Sequence, residues 1–247
     1  ICLILGTIIS VFLSKISFIL YLSAWIVFTL YSVPPMRLKH RGIWGILADS
    51  LGANVFPQLF AVSVLFDWFG QITDFRWFGL IGIWSFLLGL RGIVSHQMTD
   101  KKNDQIAGVQ TFVQNLKNKN IKKFFNWIIF PIEMGFLILI LYYSNNFWGF
   151  GLLVFYFIVV LLMRAIWEIN FRSVISSPKE RMLMNEFYFL LYPISYLIAG
   201  LTFFVSSGIV FILHLVGFYP SIKKFFFELK NLLSEIKLII REFILGY

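Results

Sequence analysis

Residues 124–167 read FFNWIIFPIEMGFLILILYYSNNFWGFGLLVFYFIVVLLMRAIW, and this stretch decides the fold. It contains two apolar runs, 124–143 and 148–167, with a short polar break centred on residues 144–146. A helix needs about 20 apolar residues to cross the hydrocarbon core of a bilayer, and each run supplies that length. The break is too short for a folded soluble segment. The stretch therefore predicts two membrane-spanning helices joined by a tight turn.

The same alternation of apolar runs and polar breaks continues toward both ends of the chain. The predicted spans are 1–14, 16–32, 44–66, 77–95, 124–143, 148–167 and 187–205. Of the 247 residues, 59% are hydrophobic and 13% are charged, whereas about a quarter charged is typical of soluble domains. The sequence predicts an all-α fold, a polytopic transmembrane helix bundle of about seven spans. The bundle is expected over 1–205, with a short apolar segment and an amphipathic tail over 206–247.

The tail that begins at Ser221 differs from the spans. Apolar residues recur there at helical spacing, and charged residues lie between them every few positions. The apolar set is Leu229, Leu232, Leu233, Ile236, Ile240 and Phe243. This pattern is typical of an amphipathic helix lying at the membrane interface. A last spanning helix with charged ends is the alternative.

The basic residues are unevenly distributed between the breaks. The three long breaks, 33–43, 96–123 and 168–186, hold twelve Lys and Arg residues, whereas the alternate breaks hold two, Lys15 and Arg76. Basic residues concentrate in the cytoplasmic loops of membrane proteins. We therefore expect an integral, multi-pass membrane protein with its long basic loops in the cytoplasm. Most of the net charge of +9 lies in these loops, and this position does not indicate nucleic-acid binding.

Cysteine and histidine usage excludes two classes of site. Cys2 is the single cysteine, so an internal disulfide and a thiolate cluster are both excluded. The three histidines, at 40, 96 and 214, are scattered and lack the spacing of zinc ligands.

A basic group follows the second span, in the sequence YSVPPMRLKHRG at 31–42. Its two prolines end the helix, because proline has no N–H and restricts the residue before it. Arg37, Lys39 and Arg41 then place three cations within five residues. Such a group suits an anionic ligand such as a diphosphate. The alternative is an anchor that contacts lipid headgroups.

An acidic group follows the fourth span, in the sequence HQMTDKKNDQIAGVQT at 96–111. Asp100 and Asp104 are four residues apart, so they share one face of a helix that continues beyond the membrane. Mg²⁺ suits this pair, because it usually binds one or two carboxylates together with substrate phosphates. The alternative is a solvated loop in which the aspartates pair with Lys101 and Lys102. Both groups follow even-numbered spans, so they face the same compartment.

Polar residues inside the third span suggest a lined chamber. Ser50, Asn54 and Gln58 are successive i, i+4 neighbours and would share one face of an α-helix. They could form a wall of the acceptor or diphosphate chamber, or they could hydrogen-bond between helices. Glu133 in the fifth span has the same two interpretations.

The two polar groups resemble those of a known family. The basic group, with the small residues that follow it, resembles the corresponding loop of the UbiA superfamily of intramembrane prenyltransferases, in which chlorophyll synthase and its relatives carry a similar tyrosine, double proline and lysine. The acidic group resembles that family's second aspartate-rich motif. The residues that carry the resemblance after Arg41 are Gly42, Gly45, Ala48, Gly52, Gln97, Asp100, Asp104, Gly108 and Thr111.

This resemblance implies a reaction and a partner set. It implies Mg²⁺-dependent transfer of a prenyl group from a prenyl diphosphate to a lipophilic acceptor, through an aromatic ring or a hydroxyl, within the lipid bilayer. Asp100 and Asp104 would hold Mg²⁺ as the catalytic and metal-binding residues. The diphosphate oxygens would be bound by Arg37, Lys39 and Arg41, and the pocket would include Tyr31, Asn54 and Gln58.

One family motif has no counterpart in the chain. Family members carry another aspartate-rich motif, of the NDxxDxxxD kind, between their second and third helices, and no such string occurs here. The seven predicted spans correspond to the family's third to ninth helices, so we expect an N-terminal truncation that removes the first two helices.

Three other interpretations are weighed against prenyl transfer. A degenerate, non-catalytic scaffold is one. A transporter is a second, although the sequence shows no repeat symmetry between its halves. A CDP-alcohol phosphotransferase is a third, but the Asp-Gly and Ala-Arg pairs that open its signature are missing.

Overall fold

The computed structural model describes residues 2–70, 74–114, 116–201 and 207–245. Within these residues the chain forms nine helices and two short strands. The helices are α1 Cys2–Leu13, α2 Lys15–Ser32, α3 Ile43–Trp68, α4 Phe75–Ile106, α5 Asn118–Tyr143, α6 Phe147–Trp167, α7 Phe187–Leu201, α8 Ser207–Gly217 and α9 Tyr219–Leu245. The strands, β1 Asn170–Arg172 and β2 Glu180–Met182, pair in parallel.

The predicted all-α membrane bundle is confirmed, but the count of seven spans is not. Among the described residues, five helices, α2 to α6, are long and apolar enough to cross a membrane, and the bent pair α8 and α9 would make a sixth if it counted as one span. The first predicted span forms a helix of 12 residues, about 18 Å at 1.5 Å per residue. The seventh predicted span forms the short helix α7, and residues 202–205 of that span lie outside the described residues.

In the part of the chain that the structure describes, three helices contain a wider π-helical turn that ends two residues before a proline. The π-turns are Ser50–Val55 in α3, Phe125–Ile129 in α5 and Phe187–Leu191 in α7, and the prolines are Pro57, Pro131 and Pro193. A proline inside a helix has no N–H to donate, and its ring presses on the carbonyl four residues back. In each case that carbonyl belongs to the π-turn, which widens the backbone where the ring needs space.

One compact unit consists of Ile1–Ile140 and Ser173–Pro178. Its core forms where α3, α4 and α5 come together near the polar loops. The buried members of this core are Ile46, Leu87, Leu90, Ile93, Val94, Met98, Val113, Ile121, Phe125, Ile129 and Val174. Val174 is completely buried, so the short segment 173–178 is an integral part of this unit.

The other unit consists of Leu141–Arg172 and Lys179–Tyr247. The tight turn before α6 is fixed by Asn146, whose side chain accepts a hydrogen bond from Gly149 N at 2.9 Å and donates one to Ser195 Oγ at 2.8 Å. In this unit α9 packs on α6, where Leu232 is buried beside Val159 and Met163.

Candidate functional site

The acidic group lies on the last turns of α4. This helix runs for 32 residues to Ile106, well beyond the predicted span end at 95, so both aspartates are helical as expected. Asp100 and Asp104 are both half-buried. Lys101 does not pair with them: its Nζ donates to Leu116 O at 2.8 Å and to Asn118 Oδ1 at 3.3 Å. Lys101 therefore does not neutralise these carboxylates.

Two further polar side chains extend this face of α4. His96 Nδ1 lies 3.3 Å from Asp100 Oδ2. Gln97 lies three residues before Asp100 and seven before Asp104, which places it on the same helix face. It is 5% exposed, and its Oε1 has no hydrogen-bond partner among the described residues. The acidic face therefore continues inward as an amide oxygen that is free to accept a hydrogen bond.

The basic loop is folded tightly against the start of α3. Arg37 adopts a left-handed conformation with φ of 38°, and Leu38–His40 form a single 3-10 turn. Arg41 Nη2 donates to Pro35 O at 3.0 Å. A Cβ at Gly45 would lie 2.9 Å from Leu38 O and 3.2 Å from Lys39 Cα, so only glycine permits this close approach.

A backbone bridge joins the basic and acidic groups. Gly42, at the end of the basic loop, pairs in parallel with Thr111, at the end of the acidic segment. His40 is close enough to Asp104 for their charges to interact: burial and the cations of Arg37 and Lys39 lower the pKa of His40, and Asp104 acts in the opposite sense. The two groups therefore lie at one end of the bundle, as their positions after even-numbered spans predicted.

Side chains from α2 and α3 reach the same region. Tyr31, at the end of α2, is half-buried and lies within electrostatic range of Asp49 and Asp104. Asp49, one residue before the π-turn of α3, lies within electrostatic range of His96. Asp49, His40 and His96 were not among the predicted site residues. Nothing in their linear spacing points to Asp104 or to each other, because their proximity depends on how three helices pack.

The other two predicted pocket residues have different environments. Asn54 is half-buried, and its amide lies over Gly89 of α4: a Cβ at residue 89 would be 2.7 Å from Asn54 Nδ2. Gln58 is exposed, whereas Ser50 is completely buried. The three residues do not form one uniform polar face, because the π-turn over Ser50–Val55 changes the helical period on which the i, i+4 pattern depends.

A buried ion pair lies on a different part of α4. Arg91 Nη1 is 2.5 Å from Glu133 Oε1, and both side chains are fully buried. Arg91 Nε donates to Ser173 O at 2.9 Å, and its guanidinium lies 4.9 Å from the centre of the Phe130 ring. Glu133 therefore has a structural partner, which decides between its two interpretations. Sequence reasoning missed Arg91, because a single cation inside an apolar run gave no sign of its partner.

The segment 173–178 is held on α4 by this ion pair and its neighbours. Ile175 N donates to Ser95 Oγ at 3.2 Å, and Asn126 Oδ1 accepts from both the amide and the hydroxyl of Ser173. The network joins α4 to α5. On α4 it involves Arg91 and Ser95, which precede Asp100. It supplies the rigid base from which the acidic end of α4 extends.

The two aspartates could supply part of the ligand set of a magnesium ion, and the phosphates of a substrate would have to supply the rest. Among the described residues no group of three His, Cys, Asp or Glu side chains could hold a metal by itself. Mg²⁺ keeps several waters and binds one or two carboxylates together with substrate phosphates. Asp100 and Asp104 supply two carboxylates on one face, and the basic loop that faces Asp104 supplies positive charge for the phosphates.

Comparison with known proteins assigns this membrane bundle to a family. The model of the UbiA prenyltransferase family matches residues 1–192, which include both polar groups and all helices from α1 to α6. The chain therefore belongs to the UbiA prenyltransferase family. Neither the curated proteins nor the solved structures gave a match. The family match ends at Tyr192, within α7, so α8 and α9 lie outside it.

Proposed function

We propose that this protein transfers a prenyl group from a prenyl diphosphate to a lipophilic acceptor inside the bilayer, at a site formed by the acidic end of α4 and the basic loop. Membership of the UbiA family implies prenyl transfer within a membrane. The use of Mg²⁺, the roles of individual residues and the chemical nature of the acceptor belong to the proposal.

The observation that carries the proposal is the Gly42–Thr111 bridge. It joins the loop that contains Arg37, Lys39 and Arg41 to the segment that follows Asp104. A diphosphate carries several negative charges, and a site for it needs both fixed cations and a metal ligand set. The bridge supports the proposal because it brings the cationic loop next to the segment that carries the metal ligands.

Each polar residue has a distinct role in this proposal. Asp100 and Asp104 would hold Mg²⁺, which when bound withdraws charge from the diphosphate and makes it a better leaving group. Lys39 is half-buried and would neutralise a phosphate oxygen, while the more exposed Arg37 would approach from the rim. The guanidinium of Arg41 already donates to Pro35 O, so Arg41 would also hold the loop in shape.

The reaction breaks the bond between the first prenyl carbon and the bridging diphosphate oxygen. The electron pair leaves with the diphosphate, and the fixed cations stabilise the charge that develops there. The allylic cation that remains must be protected from water, and a lipid-enclosed chamber provides that protection. The acceptor ring or hydroxyl then forms the new bond to carbon and releases a proton.

The test is turnover of labelled geranyl, farnesyl and geranylgeranyl diphosphates by the purified protein in lipid vesicles, with aromatic and hydroxyl acceptors. Asp100→Ala and Asp104→Ala should each lower turnover by about 10²–10³-fold, as loss of an electrostatic transition-state contact does. Asp74→Ala is the matched control, because Asp74 is likewise a half-buried aspartate and lies at the opposite end of the same helix.

Two results would contradict the proposal. One is turnover by Asp100→Ala or Asp104→Ala that equals that of the Asp74→Ala control. The other is turnover that is unaffected when Mg²⁺ is removed with a chelator. The melting temperature of each variant separates loss of chemistry from loss of folding.

A further inference from the structure

The C-terminal helix α9 lies outside the family match and carries a regular charge pattern. Its axis is bent by 78° from that of the apolar helix α8, with the break near Phe218. A helix that turns so sharply from an apolar segment suits a position along a membrane surface.

One face of α9 is fixed to the protein. Phe225 and Leu232 are buried, and Leu229 and Ile236 pack on the same cluster against α6. Glu228 adds a two-fold hydrogen-bonded ion pair to Arg181, with N–O distances of 2.7 and 2.8 Å. The helix is therefore anchored over residues 225–236 and near the loop that precedes α7.

On the outward surface of α9, residues of the same type recur at intervals of seven positions. Three lysines recur at this interval, Lys223, Lys230 and Lys237, and all three are exposed. Residues seven apart drift by only about 20° around a helix, so the three lysines form one line. We call these residues the lysine stripe.

An apolar line runs beside the lysine stripe. Phe226, Leu233 and Ile240 also recur at intervals of seven and are 60%, 51% and 50% exposed. Each lies three residues after a stripe lysine, about 60° away around the helix. A shallow groove of about 330 Å³ between the two lines includes Lys230, Leu233 and Lys237 in its walls.

The acidic residues of α9 are kept away from this surface. Glu228, Glu235 and Glu242 form a third line, each five residues after a stripe lysine and about 140° away around the helix. The stripe lysines and the carboxylates are thus on different sides of the helix, whereas Lys224 lies beside the acidic line. Exposed lysines next to apolar side chains suit the boundary between lipid tails and headgroups, because the lysine stem lies on apolar surface while its ammonium group stays among polar atoms.

We propose that the lysine stripe and its adjacent apolar line bind an anionic phospholipid surface, with Phe226, Leu233 and Ile240 inserted at the acyl boundary and the lysines on headgroup phosphates. Charge complementarity favours this occupant over a second copy of the chain. In a two-fold pairing through the same surface, the lysine stripes would face each other, because the acidic line is on another side. The proposal is independent of the proposed transferase activity.

The test is hydrogen–deuterium exchange over residues 222–243 of the purified protein in nanodiscs. One set contains only phosphatidylcholine, and the other contains 30 mol% phosphatidylglycerol. A lysine next to an anionic surface contributes about fivefold to binding. Phosphatidylglycerol should therefore slow exchange of this helix, and replacement of all three stripe lysines by glutamine should remove the difference, with Lys230→Gln giving a partial loss.

Lys224→Gln is the matched control, because Lys224 is on the same helix but beside the acidic line. It should keep the phosphatidylglycerol effect. Equal exchange in the two lipid compositions would overturn the proposal, and so would a triple variant that keeps the effect. Protection that increases with the number of protein copies in each neutral nanodisc, and not with phosphatidylglycerol, would assign the surface to a second copy and would also overturn it.

Discussion

Two charged regions of α4 differ in how their charges are compensated. Around Arg91 the charges are fully buried and pair with Glu133 and Ser173. Around Asp100 and Asp104, about ten residues further along, the carboxylates are half-buried and face a basic loop. The buried Arg91 charge is compensated by partners inside the protein, whereas the half-buried carboxylates of Asp100 and Asp104 remain accessible to a ligand. One helix thus supplies both the rigid base and the proposed site.

Removal of Arg91 should give the largest effect on stability. Arg91→Ala removes the guanidinium that pairs with the buried carboxylate of Glu133, and breaking a buried pair in this way costs about 3–5 kcal/mol. The measurement is thermal unfolding in lipid vesicles or mild detergent. Joint replacement by methionine at 91 and 133 should cost less, because no charge then remains buried. An unchanged melting temperature for Arg91→Ala would show that the two regions of α4 do not differ as described.

Gly45→Ala should weaken ligand binding more than stability. The new Cβ would meet Leu38 O at 2.9 Å, so the basic loop must move away from α3. Loss of one charged hydrogen bond costs about 1.5–3 kcal/mol, which corresponds to binding of a prenyl thiodiphosphate weakened by roughly tenfold or more. Calorimetric titration with Mg²⁺ present measures this. Gly79→Ala is the control, since a Cβ there meets nothing within 4 Å; equal affinities for the two variants would refute the prediction.

The smallest effect is expected at the far end of α4. Asp74 caps the helix through Arg76 N at 2.9 Å, and hydrogen bonds from the Arg76 side chain and amide lower the pKa of Asp74. A lowered carboxyl pKa means that any contribution is complete above the ordinary value and is lost only in more acidic solution. Because the Arg76 side chain is exposed, Asp74 is only half-buried and asparagine also caps helices, Asp74→Asn should leave the melting temperature unchanged at pH 7 and pH 5. A clear decrease would show that exposure is a poor guide to which charges of α4 matter.

The sequence predicted where the apolar helices lie, because such helices follow from length and hydropathy, but within the described residues the first and seventh form helices shorter than the predicted spans. It also predicted that Asp100 and Asp104 are helical and that the basic loop lies at the same end of the bundle. The three π-turns were not predicted, although Pro57, Pro131 and Pro193 are a visible signal for them. The spacing of Asn54 and Gln58 predicted a common face because a regular α-helix was assumed, and the π-turn in α3 removes that face.

The missed partners share one physical cause. Arg91 and Glu133 are 42 positions apart, and Asp49 and His96 are on different helices. Single-chain periodicity describes which face of a helix a residue occupies, but not which neighbouring helix covers that face. The strand pair β1 and β2 was not predicted either, because strands of three residues are too short to show a periodic pattern.

The central claim is that the acidic end of α4 and the basic loop bind one ligand together. A double-mutant cycle of Lys39→Met and Asp104→Asn measures it, with Mg²⁺-dependent binding of a prenyl thiodiphosphate as the readout. If both residues act on the same bound diphosphate, the loss in the double variant should differ from the sum of the single losses by about 1 kcal/mol or more. Losses that add to within about 0.3 kcal/mol would contradict the claim, because they would show two independent sites.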